Sequence, residues 1–262
     1  MDPVMNQIIP TAKPFLLPGA SRDLGCLLVH GFTGAPKEMR WMGGYLAERG
    51  YPVLGVRLAG HATRPEDMIR ARYTDWLASV EDGYALLRGL TRRIVLVGLS
   101  MGGVLALLSS ARLAVAGVVA MSTPYTLTDD PRLKFTGLLS LFAPYLPKSK
   151  EPPGSGWFDQ SAWQDHVSYP KNPVRSIGEL DQLLAEMRLA LPQVRVPTLL
   201  IHSKDDAYVL PENMEHIFAA LGASDKTKLY ITGSGHVVTR DAARQQVFQA
   251  AADFIQRIEA MN

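Results

Sequence analysis

The chain has 262 residues, a length that fits one large α/β domain or two small ones, and topology has to separate those readings. Hydrophobic residues at 47% and charged residues at 20% supply a sizeable core and argue against disorder, while 27 Lys plus Arg against 25 Asp plus Glu, with no dense basic cluster, argues against a nucleic-acid partner. A single cysteine, Cys26, excludes an intrachain disulfide and a multi-cysteine metal site, and its neighbours Leu24, Leu27, Leu28 and Val29 place it in the core.

From the start of the chain, residues 1–18 lack a cationic segment followed by a continuous apolar one, and Pro10, Pro14 and Pro18 interrupt them, so no signal peptide is expected. No run reaches the roughly 18 apolar residues of a membrane span. The expectation is an untethered cytoplasmic protein. Apolar or β-branched runs at 24–30, 52–58, 93–98, 116–122, 198–203 and 228–232 read as buried strands. Between them, 36–49, 74–90, 101–112, 211–221 and 239–260 are long enough for helices and mostly patterned for them. Pro36 suits a first helical position, Gly50 a helix end and Thr239 an N-cap. Such alternation predicts a mostly parallel central sheet flanked by helices.

The stretch 125–194 breaks the alternation, because it contains no strand-like run. Its beginning is apolar on much of its surface (Leu133, Phe135, Leu138, Leu139, Leu141, Phe142), residues 147–156 read as a loop, and 177–191 has helical spacing. The reading is one domain, 1–262, whose core is 1–124 and 195–262 and whose small helical cap insertion is about 125–194.

Gly98-Leu99-Ser100-Met101-Gly102, followed by Gly103, is a G-x-S-x-G motif with a strand before it and a helix-like run after it. A tight strand-to-helix turn crowds the backbone, so small residues two before and two after the serine let its hydroxyl project freely. His30-Gly31-Phe32-Thr33-Gly34 follows the first strong strand, where a loop beside the nucleophile can aim a backbone amide at a substrate carbonyl. The N–H of Phe32 and that of Met101, at a helix N-terminus, are the candidate oxyanion donors.

A serine hydroxyl needs a base, and His30, His61, His166, His202, His216 and His236 compete. His202 lies inside a strand run and reads as a packing residue, His216 falls on an exposed helix pattern, and His166 sits in the insertion. His236 follows the last strand on a glycine-rich loop, Gly233-Ser234-Gly235-His236-Val237, within reach of the nucleophile's edge of the sheet. The orienting carboxylate is expected after the preceding strand, at Asp205 or Asp206. The Asp-x-x-Val spacing to Val209 favours Asp206, and the other aspartate would then be a turn residue or local cap.

With these residues the chain resembles the α/β-hydrolase superfamily, and within it the small bacterial carboxylesterases related to monoacylglycerol lipases. Further markers are Pro14-Phe15-Leu16-Leu17-Pro18-Gly19, Gly60-His61 and Asp75-Trp76, so the likeness covers nearly the whole length except the insertion. Gly60-His61 departs from the pattern in lacking a following glycine. The resemblance implies a triad of Ser100, Asp206 and His236, an oxyanion hole from Phe32 and Met101, a cap that sets substrate choice, and no metal or organic cofactor. The expected substrate is an ester of short to medium acyl length, monoacylglycerols among them. Phe135, Leu138, Leu139, Phe142, Trp157, Phe158, Trp163 and Tyr169 either line an acyl pocket or glue the cap to the core, and Leu138, Leu139 and Phe142 are alternatively a dimer or lipid surface. Other triad reactions (thioester, amide or carbon–carbon hydrolysis), acyl transfer to another alcohol, and a catalytically weak binding module are the rival readings.

Overall fold

In the computed structural model, residues 7–127, 135–148 and 154–261 are described. The central sheet is built from β1 (Phe15–Leu17), β2 (Leu24–Val29), β3 (Val53–Gly55), β4 (Arg93–Leu99), β5 (Gly117–Met121), β8 (Thr198–Ser203) and β9 (Lys226–Ile231), with β6 (Tyr145–Pro147) and β7 (Lys171–Pro173) apart from it. Its spatial order is β1-β3-β2-β4-β5-β8-β9. All pairs are parallel except the edge, where β1 runs antiparallel to β3.

The inner strands read as unbroken apolar runs because both faces of the sheet are covered, and their side chains still alternate. Leu27, Val29, Leu96, Val118 and Ala120 enter one core layer. Cys26, Leu28, Val95, Val97, Val119 and Met121 enter the other. The first layer is closed by α3 (Tyr73–Arg88), α4 (Met101–Ser110), α7 (Val174–Ala190) and α8 (Glu212–Ala220), through residues such as Trp76, Val104, Leu183 and Met214. The second is closed by α1 (Lys37–Ala47) and α9 (Arg244–Glu259), through Met39, Met42, Val247, Phe248 and Ile255. Every residue of α4 is buried. No helix among the described residues is long and apolar enough to cross a membrane.

The structure revises several local readings. α9 starts at Arg244 with Ala243 in the capping position, so Thr239 is not its N-cap. Residues 237–243 are instead turns, and the Thr239 hydroxyl donates to the Glu38 carbonyl of α1. A buried side chain with a partner across the chain has outweighed a local capping preference. Pro36 stands in the N-cap position of α1 and not inside its first turn. Gly50 takes φ +92 just past the end of that helix, the left-handed geometry of a helix stop.

The insertion between β5 and β8 is not purely helical. It holds α5 (Thr136–Phe142), α6 (Gln160–Gln164) and a two-stranded antiparallel ribbon in which Leu146 pairs with Asn172. Three-residue strands ending in Pro147 and Pro173 show no usable alternation, and proline suits such an edge ribbon because no ladder partner needs its missing N–H. Short β1 and the one-and-a-half-turn α2 (Pro65–Arg70) escaped the pattern for the same reason of length. Leu133 and residues 149–153 of the expected loop lie outside the described residues.

The joint between β4 and α4 is tightly packed. A Cβ on Gly98 would overlap the Gly102 carbonyl, and one on Gly102 would overlap the Val29 carbonyl of β2. Gly98→Ala therefore forces this joint apart and should destabilise the fold by about 3 kcal/mol. Chemical denaturation measures this, and an unchanged midpoint would contradict the packing argument.

Candidate active site

Ser100 occupies the turn between β4 and α4 at φ 55 and ψ −122, a conformation an L-residue adopts only under constraint, at a cost of roughly 1–3 kcal/mol. Hydrogen bonds on both sides hold it there. Ser100 N donates to the Met121 carbonyl of β5, and Gly103 N donates to the Ser100 carbonyl. The hydroxyl is thereby lifted clear of the strand, and the N-terminal amides of α4 lie beside it.

The structure brings Ser100, His236 and Asp206 into one chain of hydrogen bonds. His236 Nε2 lies 2.9 Å from Ser100 Oγ, and His236 Nδ1 lies 2.7 Å from Asp206 Oδ2. With Nδ1–H donating to the carboxylate, Nε2 is left to accept from the serine hydroxyl. Asp206, 2% exposed, sits on the turn after β8, and its Oδ1 accepts from Tyr208 N at 2.9 Å and Val209 N at 3.0 Å. Burial disfavours its charge, but the His236 charge and these donors outweigh it and hold the carboxyl well below the usual carboxylate range. Burial likewise disfavours the His236 cation, yet the Asp206 charge and hydrogen bond prevail and raise its pKa above the ordinary 6.5.

Asp205 has a different task. Its Oδ2 accepts from Gly233 N at 2.7 Å, tying the β8 turn to the loop that carries His236. It makes no contact with an imidazole among the described hydrogen bonds.

The other histidines are engaged elsewhere. His30 donates from Nδ1 to the Gly31 carbonyl and accepts from Leu58 N at Nε2, and burial pushes its pKa well below 6.5. As a neutral bridge it ties the 30–34 loop to the segment after β3. His61, pushed down to about 4 by burial, donates to the Ala59 carbonyl and stacks edge-on against Trp76. Where the family pattern has glycine after it, Ala62 adopts φ +58, so the loop keeps the left-handed turn at the expense of an unfavourable residue. His202 is fully buried, as its strand position suggested, and also lies 3.4 Å from Asp206 Oδ2 while donating to the Val209 carbonyl. That contribution to the carboxylate's surroundings is invisible in a strand pattern. His216 is exposed on α8.

The Phe32 loop stands next to Ser100: a Cβ on Gly31 would lie 3.4 Å from Ser100 Cβ. Neither Phe32 N nor Met101 N donates to an acceptor among the described residues. Two unspent amides flanking a serine hydroxyl are suited to an oxygen that gains negative charge. Trp76 supports this side from below, with its Nε1 donating to the Ala59 carbonyl and its ring edge-on to Phe32 at 6.1 Å.

Sequence reasoning missed the fastening of the insertion to the loop that carries His236. The fully buried Asp241 carboxylate accepts from Gly235 N at 2.6 Å, from Phe158 N at 2.9 Å and from Asp159 N at 2.7 Å. One side chain therefore joins the residue before His236 to the insertion. A Cβ on Gly235 would overlap the Gly156 carbonyl, so the two segments are in backbone contact. Tyr169 makes a second fastening, donating to the Gly60 carbonyl and accepting from Thr63 N. Of the aromatic and aliphatic residues considered for an acyl pocket, Phe135, Leu138, Leu139 and Phe142 stand exposed on and beside α5, Phe142 at 84%, so they neither line a closed pocket nor glue the insertion down. Trp157 and Tyr169 do the gluing.

Comparison with known proteins agrees with this architecture. Residues 26–250 match the model of the alpha/beta hydrolase family. The chain is 32% identical over 248 residues to a thermostable monoacylglycerol lipase of Bacillus sp. (strain H-257), covering 94% of this chain and 95% of the relative. It is 29% identical over 252 residues to a carboxylesterase of Bacillus subtilis (strain 168), covering 96% and 99%. A solved chain from work on LipS and LipT, two metagenome-derived lipolytic enzymes, superposes with a TM-score of 0.86 at 30% identity, covering 96% of this chain and all of that one. A strained serine turn on a mostly parallel sheet, an acid and a histidine after its last two strands, β8 and β9, and a match along nearly the whole length together make the chain a member of the alpha/beta hydrolase family.

Proposed function

We propose that the protein is a serine carboxylesterase acting on short to medium acyl esters, monoacylglycerols among them, through an acyl-enzyme on Ser100. The observation that carries the reading is the relay Ser100 Oγ to His236 Nε2 at 2.9 Å and His236 Nδ1 to Asp206 at 2.7 Å, set on a turn that exposes the hydroxyl. The ester class is supported by the relatives, a monoacylglycerol lipase and a carboxylesterase.

In the proposed reaction His236 takes the Ser100 proton as the oxygen attacks the ester carbonyl, and the imidazolium then returns that proton to the departing alcohol. Water repeats the sequence on the acyl-enzyme, releasing the acid and regenerating the serine. Asp206 stays ionised throughout, holding the Nδ1–H tautomer and stabilising the imidazolium. The Phe32 and Met101 amides receive the oxyanion, each worth about 3 kcal/mol in the transition state. The insertion, fastened to the His236 loop through Asp241, sets the acyl preference in this reading.

Hydrolysis of p-nitrophenyl esters from acetate to palmitate tests the reading. Activity should peak at short to medium acyl chains and fall toward palmitate. It should vanish in Ser100→Ala, and a fluorophosphonate should label the wild type at Ser100 and not that variant. No hydrolysis of any ester, or activity surviving in Ser100→Ala, would sink the proposal.

The two aspartates should separate cleanly. Asp206→Asn should lower kcat by about four orders of magnitude, whereas Asp205→Asn keeps an oxygen for Gly233 N and keeps activity near wild type. The reverse pattern would exchange their roles.

A pH profile gives a third check. His236 must be neutral to act, and its pKa is raised, so kcat/KM should fall as pH drops through a limb lying above the 6.5 of an ordinary imidazole. Removing the Asp206 charge lowers the affinity of His236 for its proton, so the limb of residual activity in Asp206→Asn should move to lower pH. A limb that stays in place would show that Asp206 does not govern the base.

A further inference from the structure

The proposed reaction leaves unused one buried carboxylate beside the nucleophile. Glu38 stands in the first turn of α1, 5% exposed. Its Oε2 accepts the Gly31 N–H at 2.9 Å. A Cβ on Gly31 would lie 3.3 Å from that oxygen and 3.4 Å from Ser100 Cβ, so Gly31 is wedged between carboxylate and nucleophile. A Cβ on Gly34 would overlap the same carboxyl group, so the 30–34 loop wraps around Glu38. The other oxygen, Oε1, lies 3.5 Å from His166 Nε2 of the insertion.

From this geometry we infer that Glu38 is a positioning residue of the hydrolysis: its carboxylate holds Gly31, and with it the neighbouring Phe32 amide, while its charge supports the imidazolium that forms on His236. The inference rests on the reading of Ser100, Asp206 and His236 as the catalytic groups.

The charged surroundings fit this role. Glu38 is faced by His166 from the insertion, Lys148 at the end of β6, Arg240 from the turns before α9, and His236 itself. His236 is faced by Asp206, Glu38, Lys148, His166 and the Tyr208 ring, 6.0 Å away. His166 is neutral, burial having pushed it down to about 3. Arg240 is engaged by Asp165 and by the Trp41 ring, 3.4 Å from its guanidinium. Burial pushes the Glu38 carboxyl up to about 7 against the pull of Gly31 N–H, Lys148, His236 and Arg240. Its charge is thus present above about pH 7. A neutral amide would serve to hold Gly31. A carboxylate buried at a desolvation cost adds a charge near the base.

Two variants separate the halves of the role, because Glu38→Gln keeps an oxygen for Gly31 and loses the charge, while Glu38→Asp keeps the charge and is too short to reach. Both are compared with wild type and Ser100→Ala on p-nitrophenyl butyrate, as full chains, for kcat and KM across the pH range. In Glu38→Gln the acid limb should move to lower pH by about half a unit and the plateau kcat should fall about threefold with KM unchanged, the same charge interaction being read twice. Glu38→Asp should lower the plateau and leave the limb in place. A Glu38→Gln limb at the wild-type position overturns the charge role whatever happens to the plateau. A wild-type plateau in Glu38→Asp overturns the anchoring role, and does so even if Glu38→Gln fails to fold. Activity retained in Ser100→Ala would overturn the reading of the triad, and this inference with it, so the two failures are distinguishable.

Discussion

The approach of α4 to the ends of β2 and β4 is closer than any side chain at Gly98 or Gly102 would permit, and the site depends on that closeness. It leaves the chain too little room for an ordinary turn, so Ser100 is forced to φ 55. The strain is balanced by a helix whose every residue is buried and by a bond from Ser100 N to the next strand. A looser joint would relax the turn and draw the hydroxyl back toward the sheet. Packing energy distributed over the core is in this way concentrated at one residue.

Around that point the other groups are held by tethers running between elements distant in the chain. His30 bridges the 30–34 loop to the exit of β3, Asp205 joins the β8 turn to the His236 loop, and Asp241 joins that loop to the insertion. Each tether saturates backbone N–H or carbonyl groups that a loop would otherwise leave unpaired. The loops around Ser100 therefore form a rigid frame, and the insertion is fastened to its catalytic loop at Phe158 and Asp159 while α5 stands exposed. Electrostatically, the frame sets His236 against the Asp206 carboxylate.

Legibility in the sequence followed the range of the interaction responsible. The long buried strands and their crossover helices were readable because hydrophobic period and chain order suffice to define them. The G-x-S-x-G turn was readable because its constraint is steric and spans five residues. His236 and Asp206 could be named because each follows a strand on a loop whose spacing is local. The two-residue choice between Asp205 and Asp206 already strained that approach, since both occupy the same turn and only their partners, Gly233 for one and His236 for the other, distinguish them. The Thr239 cap failed because its hydroxyl found the Glu38 carbonyl, some two hundred positions away in the chain.

The sequence by itself determined the α/β layering, the strained serine turn and the candidates for acid and base, since these depend on periodicity, glycine spacing and chain order. Tertiary structure alone decided that His202 contributes to the Asp206 carboxylate, that Glu38 lies under the Phe32 loop and that Asp241 binds the insertion to the His236 loop, and it brought Asp206, the aspartate the spacing favoured, to His236. Those relations are set by the packing of α1, the insertion and the residues before α9 against one another, and a contact between residues far apart in the chain leaves no periodic trace along it.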